Sequence, residues 1–119
     1  MFQKNSFSIP SDSSGISKVK VIQTYKCSKV KHAKVGRFLK VVIRNTKTKL
    51  NRLRKRKSRS ICIRTNHPVI TNKSYYYYFA DNSLVLLKKR MNTRGKELFG
   101  PTSKALKIKK FKVAYNYIF

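Results

Sequence analysis

The chain has 119 residues, enough for one domain with a modest core, and sets 30 Lys and Arg against three acids, a formal charge of +27. Charge of that sign and size repels itself inside a compact domain, so an external polyanion is expected to offset it, nucleic acid before an anionic membrane surface. No apolar run approaches the roughly 18 residues of a membrane span, and Met1 to Pro10 lacks the basic start and apolar block of a signal peptide.

The apolar pattern is mostly of period two, as half-buried strands require. A first strand is expected before the turn cluster Ser11–Asp12–Ser13–Ser14–Gly15. Lys18–Val19–Lys20–Val21 then alternates basic and β-branched residues, and Phe38 to Ile43 is a denser apolar run with Lys40 inside it. Thr46 to Arg59 is the most basic stretch, carrying Lys47, Lys49, Arg52, Arg54, Lys55, Arg56, Lys57 and Arg59. Like charges that dense disfavour a compact isolated structure. The stretch reads as a solvated loop or, better with this net charge, as a loop ordered by phosphate. Ile61 to Thr65 is a further short β-branched run. Tyr75 to Ala80 and Leu84 to Leu87 are strand-sized and separated by the turn-forming Asp81–Asn82–Ser83. Along the tyrosine run alternate rings would face core and exterior; packing is the simpler reading, base stacking by an outward ring the other. After Pro101, Thr102 or Ser103 is placed to cap a short helix through Ile108, and Phe111 to Phe119 returns to an extended, aromatic-rich tail. Short strands at short spacing predict a mainly β fold and a small barrel rather than a helical bundle.

The residues of a catalytic centre are missing from this pattern. Asp12, Asp81 and Glu97 stand apart, and the first two sit in turn clusters where a short acid bonds the local backbone. Cys27 and Cys62 are too few for a disulfide framework and read as two small buried or half-buried side chains. Cys27 and His32 form a Cys-x4-His pair with no second pair to complete zinc coordination, and His67 is remote from both. Gly95 and Gly100 are too far apart for a dinucleotide fingerprint. The expectation is therefore a non-enzyme with no cofactor, no metal and no small-molecule substrate. An excess of Lys, Asn, Ile, Tyr and Phe, with four Gly and no Trp, is what an AT-rich coding sequence yields.

Several segments carry a more specific signal. Arg94–Gly95–Lys96–Glu97–Leu98–Phe99–Gly100–Pro101 resembles the Arg/Ile-Gly-Thr-Arg-Ile-Phe-Gly-Pro stretch of the universal large-subunit ribosomal protein L-fourteen family. Phe79–Ala80–Asp81–Asn82 resembles its Phe-Asp-x-Asn, and Ser11 to Gly15 its Ala-Asp-Asn-Ser-Gly. Val35–Gly36 and Ile63–Arg64–Thr65 resemble its Val/Ile-Gly-Asp and Val-Val-Arg-Thr, and order and spacing agree over essentially the whole chain. The resemblance implies a five-stranded β-barrel over about residues 1–90, then a C-terminal loop with one or two short helices over about 91–119. It implies a structural role on large-subunit rRNA at the subunit interface, with an intersubunit bridge to small-subunit rRNA. Neighbours of the L-three and L-nineteen families are expected, and no membrane. It adds Arg64, Arg94 and Lys96 to the central-loop cations as expected rRNA contacts, each binding phosphate and fixing register rather than reading bases.

The departures from the family pattern mostly exchange acids and turn glycines for basic or polar residues. Lys55–Arg56 stand for Gly-Asp, Arg37 for Asp, and Lys73–Ser74 for the hairpin Asp-Gly. Ile70 and Thr71 replace two basic residues. Lys96–Glu97 and the Tyr115–Phe119 terminus fall on the surface that, in the family, also receives factors blocking subunit joining. The resemblance starts at the family's own beginning. With the AT-rich bias this predicts an organelle-encoded protein, the mitochondrion favoured over a plastid or an AT-rich bacterium.

Overall fold

The computed structural model describes residues 2–25, 32–47, 56–70, 74, 76–88, 92–95 and 97–104. Within them lie β1 (Phe7–Ser8), β2 (Ile16–Thr24), β3 (Phe38–Thr46), β4 (Lys57–Arg64), β5 (Val69–Ile70), β6 (Tyr76–Tyr77) and β7 (Ser83–Leu87). β1, β2, β3, β4 and β7 make a five-stranded antiparallel sheet in that order, and β5 pairs with β6 as a separate two-stranded unit.

Alternation decides what each strand buries. Val19 and Val21 of β2, Leu39, Val41 and Ile43 of β3, Cys62 of β4, and Leu84 and Leu86 of β7 join Phe2, Ile16 and Ala33 in one core cluster. Phe2 and Ala33 exchange backbone hydrogen bonds of 3.2 and 2.7 Å, which ties the N-terminus into that core. Burial pushes the Cys62 thiol up to about 12, so it stays protonated and inert. The other side of the sheet is divided. Toward β7, Ile61, Ile63, Val85 and Leu87 form a second cluster against Phe38 and Leu98. Toward β1 the outward residues mix Lys18, Lys20, Gln23, Lys40 and Arg44 with Phe7, Ile22 and Val42.

The closed barrel expected from the resemblance is not formed; the sheet is open, with β1 and β7 as its edges. β1 is two residues long, and Pro10 shortly after it has no N–H to donate. Past that proline the chain meets β7 through single contacts. Ser11 N donates to the Leu84 carbonyl at 3.0 Å, and the Asp12 carboxylate accepts the Leu86 N–H at 3.2 Å. A side chain thus takes a ladder position that a strand would otherwise fill.

Other boundaries move for local reasons. Lys57 to Arg59, read from sequence as loop, begin β4, with Lys57 and Arg59 exposed and Ser58 and Ser60 buried between them. Serine has no apolar signature, so the alternation was hidden. Of the tyrosine run only Tyr76–Tyr77 is strand. Tyr77 packs edge-on to Phe79 with ring centroids 5.9 Å apart and its hydroxyl bonded to Ser103, whereas Tyr76 and Tyr78 are each 65% exposed. Ser74 sits at φ 64°, a left-handed conformation that costs a side-chain-bearing residue about 1 kcal/mol. Thr102 donates its hydroxyl to the Ile63 carbonyl at 3.3 Å, anchoring the C-terminal loop to β4. The short helix through Ile108, the aromatic tail, Tyr75 and Cys27 lie outside the described residues.

Candidate nucleic-acid interface

Strand register assembles the basic residues into rows. Phe7 of β1 faces Lys20 of β2, Lys20 faces Val42 of β3, and Val42 faces Lys57 of β4. A second row runs Gln23, Lys40, Arg59, Leu87 across β2, β3, β4 and β7. Lys18 and Asn45 are paired near the far end of β2. Lys40 and Arg59 are therefore directly opposed like charges, an arrangement that destabilises an isolated sheet. The sequences of β1, β2, β3 and β4 contain no Asp or Glu to relieve it. Arg59 also lies over the Tyr25 ring, 5.8 Å from its centroid, which fixes the guanidinium without neutralising it.

The acids are gathered elsewhere. Asp12 accepts from the Ser14 amide at 3.3 Å and the Ser14 hydroxyl at 2.5 Å, the turn role expected of it, and reaches on to β7. Glu97 is joined to Ser13 by hydrogen bonds at both its backbone N–H and its carbonyl. Asp81 accepts from Ser83 at 3.3 Å and pairs with Arg64 at 3.1 Å. All three acids thus sit at the seam between the Ser11–Ser14 turn, the approach to β7 and the C-terminal loop, leaving the β1-to-β4 face to cations.

Of the expected phosphate contacts, Lys47, Arg56, Lys57 and Arg59 are exposed, Lys47 just after β3 and the other three at or beside the start of β4. Arg94 is half-buried and donates through Nε to the Ser58 hydroxyl at 3.3 Å. Lys49, Arg52, Arg54, Lys55 and Lys96 lie outside the described residues. Arg64 turns into the protein and is buried. Nε donates to Asp81 at 3.1 Å, Nη1 to the Phe99 and Pro101 carbonyls at 2.8 and 3.2 Å, and Nη2 to Ser11 and Ser83 at 2.7 and 2.9 Å. A guanidinium has five N–H donors, so none is left over for a phosphate. Lys18, Lys20 and Lys40, which alternate in sequence with buried valine and leucine, stand on the same outward side of the sheet.

Gly100 shows how closely the loop is drawn to that arginine. It has φ +79°, and a Cβ there would fall on Arg64 Nη1 and lie 2.9 Å from Cζ. Gly100→Ala should therefore lower stability by about 2 kcal/mol or more, from the left-handed backbone and the displaced guanidinium together. A urea melt reads the drop in midpoint; an unchanged midpoint would mean the loop relaxes freely.

Among the described residues no three His, Cys, Asp or Glu converge on a point that could hold a metal ion. What fold and surface define is a small cationic β-sheet protein whose cations line one strand face and whose acids gather at one seam. Residues 1–116 match the family model described as Ribosomal protein L14p/L23e, and the chain belongs to that family. It is 30% identical over 115 residues to the large ribosomal subunit protein uL14m of Tetrahymena pyriformis, an alignment covering 97% of each chain. The family is one of ribosomal proteins, structural and not enzymatic.

Proposed function

We propose that this chain is a structural constituent of the large subunit of a mitochondrial ribosome. There it binds large-subunit rRNA through the β1-to-β4 face and the central basic loop, and helps bridge to small-subunit rRNA. Neighbouring proteins of the L-three and L-nineteen families complete its surroundings. The observation that carries this reading is the Lys40–Arg59 pair on a strand face without acids: two opposed cations in register call for an anion from outside. The spread of the cations over several strands suits an extended phosphate backbone better than a compact ligand. A double-stranded RNA, recognised through shape and backbone contacts, fits a broad sheet face. Family membership and the mitochondrial relative support the ribosomal setting.

Native particles resolved on a sucrose gradient provide the test. The chain should migrate with the large subunit and leave it only at high salt, and ultraviolet crosslinking should join it to large-subunit rRNA. A soluble, RNA-free monomer whose behaviour ignores salt would overturn the reading.

A further inference from the structure

Phe7 belongs to neither apolar cluster, and its ring is 54% exposed on the outward side of β1. Lys18 Nζ lies 4.6 Å and Lys20 Nζ 5.7 Å from the ring centroid. The ring quadrupole attracts both ammonium groups, so they are gathered around a flat apolar surface. Ser8 beside it is buried and pairs with Val19, which holds the strand, and hence the ring, against β2.

A ligand matching this arrangement needs a π face and negative charge next to each other. A nucleotide has both, while a base paired inside a duplex has no free face to offer. An acidic peptide would satisfy the lysines and leave the ring bare. We propose that Phe7 is a stacking platform for one unpaired base of the bound RNA, with Lys18 and Lys20 taking the phosphates on either side of it. The inference rests on the reading of this face as RNA-binding and adds to it a single-stranded element, a bulge or loop, at the β1 edge.

The test uses the full-length chain and a single-stranded RNA of roughly ten nucleotides bearing 2-aminopurine, with a duplex of equal length as control. Wild type should bind the single strand, alter the 2-aminopurine fluorescence as the base stacks, and show a salt-dependent affinity. Phe7→Leu keeps the apolar bulk and removes the π face. It should abolish the fluorescence change and weaken single-strand binding about tenfold, at an unchanged salt slope and with duplex binding intact. Phe7→Tyr should behave as wild type. Circular dichroism should show both variants folded, since the ring lies outside the core. If Phe7→Leu binds the single strand as well as wild type while the salt slope persists, the stacking proposal fails and the ring belongs to an apolar protein neighbour, yet the RNA reading stands. Equal losses on single strand and duplex also overturn stacking. If wild type shows no salt-dependent affinity for either RNA, both readings fall together.

Discussion

Arg64→Met should lower the stability of the folded chain by about 3 kcal/mol, among the larger effects a single substitution has here. Methionine matches much of the aliphatic stem and none of the donors. Its loss takes the charged donor from two loop carbonyls, Phe99 and Pro101, and from the Ser11 and Ser83 hydroxyls. Ser11 and Ser83 retain each other at 2.8 Å, which softens the loss on that side. The Asp81 ion pair contributes little, because its carboxylate side is 58% exposed and well screened, so Asp81→Asn should cost under about 1 kcal/mol. Arg64→Lys should fall nearer to methionine than to wild type, since one ammonium cannot address acceptors on both sides of a planar fork. Thermal melts in moderate salt, which screens the self-repulsion of the chain, order the three variants. Hydrogen exchange adds a local readout: the Phe99 amide, bonded to the Ser11 carbonyl at 3.0 Å, should lose protection first in Arg64→Met. A melt in which Arg64→Met and Asp81→Asn are equivalent would show that the salt bridge, not the fork, holds the seam.

The inward arginine marks the limit of what the linear sequence reveals. Its acceptors come from segments 17 to 53 positions away, and only the folded chain brings Ser11, Asp81 and the Phe99–Pro101 carbonyls together. In sequence, Ile63–Arg64–Thr65 offered one more cation in a cationic protein. Local periodicity was a better guide where one side of a strand met the core. Val19 and Val21 stand where the alternation of Lys18 to Val21 put them, and Leu39, Val41, Ile43, Leu84 and Leu86 come from the two denser apolar runs. Charge excess was legible at once, and family motifs gave the ribosomal class. That the sheet stays open was not legible, because it turns on a two-residue strand, a proline and an aspartate that substitutes for a strand neighbour. Nor was the opposition of Lys40 and Arg59, which are 19 positions apart and meet only through the register of β3 with β4.

That register gives the second large expected effect, and one with opposite signs in two measurements. Reversing Lys20, Lys40, Lys57 and Arg59 to Glu should weaken rRNA binding by orders of magnitude and flatten the dependence of log affinity on log salt by about 3 to 4, if each cation meets a duplex phosphate. Stability of the free protein should not fall in parallel. Lys40→Glu alone replaces opposed like charges by an attractive cross-strand pair with Arg59, a gain of about 0.5 kcal/mol in the isolated sheet. These side chains are outside the core, so their reversal leaves the packed cluster untouched. A Lys40→Glu protein that becomes slightly more stable alone while weakening its hold on RNA would identify the repulsion as a feature tolerated for binding. The same variants made with Gln should lose about half as much, because neutral residues abandon the phosphates without repelling them. An unchanged salt slope in the fourfold Glu variant would remove the sheet face from the interface and leave the central basic loop to bind alone.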